Sequence, residues 1–157
     1  MRILFVCTGN ICRSPAADAV FRALLDQAGL GARVAVDSAG TGDWHVGDPP
    51  DSRMCAAARR RGVDMDGLRA RQLRRDDFTS FDLILAMDVG HLRALERARP
   101  DDATARLALF LEYAPETGLR DVPDPYYDAE DAFERVLDLV EAGARGLLGE
   151  VRAAREP

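Results

Sequence analysis

The residues best equipped for chemistry sit in one short stretch, Cys7-Thr8-Gly9-Asn10-Ile11-Cys12-Arg13-Ser14. A nucleophilic sulfur opens it and a guanidinium stands six positions later. Between them lie a glycine, an asparagine and backbone N–H groups that no regular ladder claims. The apolar run Ile3-Leu4-Phe5-Val6 precedes the stretch, and Pro15 with a helical pattern follows. Strand, tight loop and helix N-terminus in that order gather amide donors around an anion. Arg13 adds two parallel N–H donors of the kind that fit a tetrahedral oxyanion. The stretch reads as a cradle for such a dianion, with a nucleophile at its floor.

Each residue also has a plainer reading. A free cysteine is commonly a small buried hydrophobe. Beside a guanidinium and a helix N-terminus, however, a thiol pKa of ~8.5 can fall by several units, and Cys7 has both neighbours. Arg13 as a solvated first-turn residue would oppose the helix dipole, a conflict that a bound anion removes. Gly9 permits left-handed backbone angles and Asn10 is the next best residue for them, although both also suit an ordinary turn. Ser14 is read either as a helix cap or as a hydroxyl donor to Cys7. The competing phosphate loops fail: the chain has no GxxxxGK[ST] motif, and Gly40-Thr41-Gly42 lacks the third glycine of the dinucleotide fingerprint.

The elements that must position these residues follow from periodicity. Residues 2–6 form a buried strand, and Ala17, Val20, Phe21, Leu24, Leu25 and Ala28 mark a helix that Pro15 opens and Gly29 stops. Residues 34–38 form the second strand, so the first 40 residues are a βαβ unit with parallel strands. After a loop at 40–51, Asp51 or Ser52 opens an Ala- and Arg-rich helix ending at Gly62. Its Arg59-Arg60-Arg61 run complements the helix dipole. Residues 63–75 read as irregular, with Arg69, Arg71, Arg74 and Arg75 exposed. Residues 81–87 and 106–111 give two further strands, with a helix capped by Asp88 between them. A loop over 112–128 leads to a last helix starting at Asp128. His91 reads as a solvated helix residue and His45 as rim polarity.

The expected architecture is α/β: three layers, with a four-stranded parallel twisted sheet and helices on both faces, in one domain over residues 1–157. Ligands of such sheets bind at the carboxyl ends of the strands. The loops after the four strands share that rim, which lets residues 7, 44 and 124 meet. Trp44, Tyr126 and Tyr127 all fall on rim loops, where they either pack against the sheet or wall a slot for a flat ring.

Composition excludes several classes. The 157 residues carry a net charge of −6, which argues against nucleic acid as a partner. All 21 cationic residues are arginine, which rules out any lysine-dependent phosphate loop or Schiff base. Three cysteines, an odd number, match no zinc spacing and no disulfide scaffold. The first apolar run is too short for a signal peptide or a membrane span. A cytoplasmic monomer without membrane attachment, metal or cofactor is the expectation.

The stretches VCTGNICRSP (6–15) and DPYY (124–127) together resemble the low-molecular-weight protein tyrosine phosphatase family. The resemblance spans the whole chain, through VDSAGT (36–41), RARQL (69–73) and FDLILAMD (81–88). It implies the family's four-stranded sheet, of the phosphotyrosine protein phosphatase I or flavodoxin-like type. It implies Cys7 as nucleophile, Arg13 as phosphate clamp and Asp124 as general acid, with Asp121 a nearby competitor and Asp-Pro turn geometry the plainer reading of Asp124. Thr8, Gly9, Asn10, Ile11, Cys12 and Ser14 complete the phosphate-binding loop. Ile11, Trp44, Tyr126 and Tyr127 line the entrance, and Asn10, Ser14 and Ser38 support the loop. The implied substrate is a phosphotyrosine-containing protein, with phosphate or another oxyanion as product or inhibitor. By the same resemblance Cys12 pairs reversibly with Cys7 or is simply a small residue under the loop. The expected pH optimum is mildly acidic, because the thiol must be ionised while the acid is protonated.

Rivals from the same superfamily are weighed on single features. Thioredoxin-coupled arsenate reductases need two further cysteines near residues 80–90, and this chain has none there. Protein arginine phosphatases typically carry Thr where this chain has Ile11. A phosphoprotein-binding module without turnover would have no use for the full set of Cys7, Arg13 and Asp124. One departure stands out: Leu68 occupies the position of a family histidine that helps to hold the loop asparagine. The support around Asn10 is therefore expected to close through Ser38, Ser14 or water.

Overall fold

The computed structural model describes residues 1–126 and 128–154, so the expected role of Tyr127 lies outside the described residues. Four parallel strands, β1 (Arg2–Cys7), β2 (Ala35–Gly40), β3 (Leu83–Ala86) and β4 (Arg106–Leu109), form one sheet in the order β2-β1-β3-β4. Because side chains alternate along a strand, β1 feeds two cores. Ile3, Phe5 and Cys7 face the larger one and Leu4 and Val6 the smaller.

The larger core lies under α1 (Arg13–Gln27), α2 (Ser52–Arg60) and α5 (Glu130–Ala153). At its centre Phe5 meets Phe21 and Phe110 edge-on, with centroids 6.0 and 5.4 Å apart. α3 (Asp77–Ser80) and α4 (Val89–Ala98) cover the opposite face through Phe78 and Leu95. Apolar residues at helical spacing thus found their place on two sides of one sheet, the three-layer solution expected.

Boundaries moved where tertiary pairing overrode local pattern. β2 runs to Gly40, two residues further than expected, because it pairs with β1 up to Cys7. β4 stops at Leu109, where its partner β3 stops, and the chain turns into a 3-10 helix at Phe110–Tyr113. α5 begins at Glu130 with no side-chain cap, not at Asp128. Arg60 and Arg61 do more than complement a dipole: both bond Glu134, and Arg61 also pairs with Asp138 and Glu141, tying α2 to α5. Arg71 is not exposed either; its guanidinium pairs with Asp37 and the buried Asp77.

Candidate active site

β1 is the strand at which the chain order reverses, with β2 on one side and β3 on the other. The crevice at the carboxyl end of such a switch point is where ligands bind in open α/β sheets. Cys7 ends β1 there and Asp88 follows β3.

The loop from Cys7 to Arg13 is held from several elements at once. Thr41 N–H donates to the Cys7 carbonyl at 2.9 Å, Gly42 N–H to Thr8 at 3.0 Å and Asp51 N–H to Ile11 at 2.8 Å. A side chain at Gly40 would stand 2.6 Å from the Thr8 carbonyl, so the end of β2 must be glycine for the loop to lie down. The left-handed residue is Asn10, with φ 59°, and not Gly9. At Gly9 a Cβ would stand 3.0 Å from the His45 ring, a tight approach that a small shift of this partly exposed side chain would relieve. Among the described residues, no backbone carbonyl accepts from the amides of Thr8, Gly9, Ile11 or Cys12. Four donors thus stay outside the ladder, as a cradle for an oxyanion requires.

Asn10 holds this shape with its whole amide. Its Nδ2 donates to Ser14 Oγ at 2.8 Å and Ser38 Oγ at 2.9 Å, while its Oδ1 accepts from Arg71 N–H at 3.0 Å. The network closes without a histidine, and Leu68 packs half-buried against the core. Ser14 is no cap: α1 starts at Arg13, and Cys12 at the cap position makes no side-chain bond. The Ser14 hydroxyl lies 2.9 Å from Cys7 Sγ instead. Ser14 Oγ also accepts from Asn10, and once the thiol is ionised the hydroxyl proton is the one that can serve the sulfur. Asn10 N–H adds a second donor at 3.3 Å. The Ser14 hydroxyl and the Asn10 N–H thus converge on Cys7, which is itself 3 % exposed.

Arg13 is buried and firmly held through Nη1. Nη1 donates to Asp88 Oδ2 at 2.9 Å and to the Val122 carbonyl at 3.0 Å. Nη2 lies 3.7 Å from Asp124 Oδ2. A buried guanidinium needs such partners, because an unpaired charge in the interior is costly. Asp88 therefore caps α4 with Oδ1 and steers Arg13 with Oδ2. His91 is the clearest correction to the sequence reading. It is 5 % exposed, with Nε2 2.7 Å from Thr8 Oγ1, because its spacing of three from the Asp88 cap turns it toward the loop. Burial first, then Arg13, lowers its pKa to about 4, with Asp88 and Asp124 opposing.

Cys7, Thr8, Gly9, Ile11, Cys12, Arg13, Trp44, His45, Asp124 and Tyr126 line one open cleft of about 280 Å³. Trp44 stands on its rim, 72 % exposed, over Gly42, where any Cβ would collide with the indole. Asp124 sits half in solvent, with Oδ1 accepting from Tyr126 N–H at 3.1 Å. Asp121 is used elsewhere, accepting from Val89 N–H at the start of α4. Burial pushes the Cys12 thiol up, and Asp51, Cys7 and Asp124 add to the effect. Among the described residues no His, Cys, Asp and Glu side chains group to hold a metal ion.

The sequence reading missed Arg53 as well. Its guanidinium lies 4.6 Å over Phe133 and 5.7 Å over Tyr126, bonds Asp51, and donates to the Tyr126 carbonyl at 2.8 Å. The Asp51-x-Arg53 spacing at a helix start was the available signal.

A parallel sheet that brings a cysteine, an arginine and an acidic loop to one cleft defines a cysteine-based class of oxyanion-handling α/β proteins. The sequence family described as low molecular weight phosphotyrosine protein phosphatase matches residues 2–156. A low molecular weight protein-tyrosine-phosphatase of Streptomyces coelicolor is 50 % identical over 154 residues, covering 96 % of this chain and 93 % of that one. A solved protein tyrosine phosphatase from Entamoeba histolytica, with Hepes in its active site, matches with a TM-score of 0.94 at 35 % identity, covering 99 % of each chain. A Drosophila arginine phosphatase matches at 0.91 and 29 % identity, covering 97 % of this chain and 98 % of its own. The chain belongs to the low molecular weight phosphotyrosine protein phosphatase family.

Proposed function

We propose that the protein hydrolyses phosphotyrosine in proteins, and small aryl phosphates, through a phosphocysteine on Cys7. The observation that carries the reading is Cys7 Sγ, met by the Ser14 hydroxyl and the Asn10 N–H, on the wall of the same cleft as Arg13 and Asp124. The thiolate attacks phosphorus and forms the S–P bond as the ester P–O bond breaks. Asp124 gives its proton to the departing phenolate oxygen. Water then attacks the phosphocysteine, Asp124 takes the water's proton, and the S–P bond breaks to return the thiolate and release phosphate. Arg13 and the loop amides stabilise the charge on the equatorial oxygens throughout.

Trp44 and Tyr126, which line the cleft, suit a flat ring. Ile11 favours phosphotyrosine over phosphoarginine: it offers an apolar wall and no acceptor for guanidinium N–H groups. The protein acts as one domain, a cytoplasmic monomer; among the described residues no helix is long and apolar enough to cross a membrane. The test is a panel of phosphotyrosine, phosphoserine and phosphoarginine peptides with chelator present. Phosphotyrosine should be the preferred substrate by a wide margin. Preference for phosphoarginine would replace this reading with the alternative.

A further inference from the structure

His91 has no place in the chemistry above, yet it is buried against both ends of the oxyanion loop. Its Nε2 lies 2.7 Å from Thr8 Oγ1, at the start of the loop, and 3.5 Å from Arg13 Nη2, at the end. Its Nδ1 lies 3.1 Å from Asp88 Oδ1. That approach is off the hydrogen-bonding line, and among the described residues Nδ1 has no hydrogen-bond partner.

These neighbours select one tautomer. A proton on Nε2 could be donated to Thr8 Oγ1, but it would also stand beside the Arg13 amino group and would leave the Nδ1 lone pair against the Asp88 carboxylate. A proton on Nδ1 faces that carboxylate favourably. It leaves the Nε2 lone pair to accept from the Thr8 hydroxyl and from Arg13. Protonating both nitrogens would set a second cation beside Arg13 out of water, in keeping with a pKa held down to about 4.

We infer that His91 is a positioning residue: its unprotonated Nε2 joins Thr8 to Arg13 from outside the loop and, with Asp88, fixes the loop's two ends before the oxyanion arrives. The Thr8 carbonyl is already tied by Gly42 N–H, so the hydroxyl is the second of two anchors on that residue. Arg13 is held on one edge by Asp88 and the Val122 carbonyl and reaches His91 through its other amino group. The kinetic part of this inference rests on the phosphatase reading; the tautomer does not.

The chain has only two histidines, so ring ¹⁵N NMR with His91→Phe as the assignment control reads the tautomer in the wild type directly. We expect the Nδ1–H form at neutral pH; an Nε2–H ring would overturn the inference. For kinetics, Thr8→Val and His91→Phe should each raise KM for an aryl phosphate, and the inhibition constant of inorganic phosphate, by about 10-fold, with a smaller change in kcat. The double variant should be no worse than the worse single, and Thr8→Ser should recover most of what Thr8→Val loses. Additive losses, or a loss confined to kcat, would contradict the shared-acceptor role. If the wild type turned over no aryl phosphate, the phosphatase reading would fall. Phosphate titration of the same variants, with the NMR tautomer, would still decide the role of His91.

Discussion

The loop that receives the oxyanion and the loop that carries the acid are built in opposite ways. Residues 10 to 14 are all buried, and backbone or side-chain bonds tie residues 7 to 14 to β2, to the 40–51 segment, to Arg71 and to α4. Asp124 is more than half exposed; beyond the Arg13 amino group 3.7 Å away and the local Tyr126 N–H, its segment is held to either side of it. Val122 N–H bonds the Met87 carbonyl on one side, and Arg53 holds the Tyr126 carbonyl on the other. Preorganised donors stabilise developing charge without reorganising at the moment of reaction, which favours a welded cradle. An acid that must meet both a leaving group and a water needs access, which favours a segment held only at its shoulders.

The comparison is broken most sharply at Asp124. Asp124→Asn should lower kcat by about 10²- to 10³-fold for a phenyl phosphate while leaving phosphate inhibition little changed. The loss should shrink for esters whose leaving group needs no proton, and equal losses for all esters would remove Asp124 from the acid role. On the welded side, Asn10→Ala strands Ser14, Ser38 and the Arg71 amide and puts alanine at a positive φ. It should cost about 2–4 kcal/mol in urea unfolding. Asn10→Gly keeps the backbone angle and separates the two contributions. Arg53→Ala loosens one shoulder of the acid segment. It should lower kcat about 3- to 10-fold and change stability by about 1 kcal/mol, since it removes one carbonyl bond and a stacked cation.

The smallest expected effect is in pH. The folded pKa of His91 lies near about 4, below its ordinary value of 6.5. The unfolded chain therefore takes up this proton first, and the contribution of His91 to stability is lost as pH falls from 6.5 toward 4. Urea midpoints of the wild type should fall more steeply over that window than those of His91→Phe. Parallel slopes would place the ring in a solvated setting, as the helix pattern alone suggested.

What could be read from the chain and what could not divide along a physical line. The nucleophile, the clamp and the strand–loop–helix that presents them are contiguous, so short-range rules sufficed for Cys7 and Arg13. The four strands were found from apolar runs, but their ends depended on partners, as β4 shows by stopping with β3. Asp124 required the family resemblance, because Asp-Pro alone reads as a turn. His91, Arg53 and Arg71 were missed for one reason: each is a polar residue on an ordinary helix or loop pattern. Each has partners on a segment far away in the chain: Thr8 for His91, Tyr126 and Phe133 for Arg53, Asp37 for Arg71. Gly9 does not take up the left-handed angles it permits, because Asn10, held by its own side-chain network, takes them instead.

The most direct measurement is rapid acid quench of phosphotyrosine turnover with chelator in excess, followed by mapping of any phosphate bound to protein. For the wild type we expect phosphate on the peptide that contains Cys7, appearing before product release. For Cys7→Ser we expect no bound phosphate and turnover lower by more than about 10⁴-fold. Turnover that needs a metal ion, or that survives the loss of the Cys7 sulfur, would contradict the mechanism.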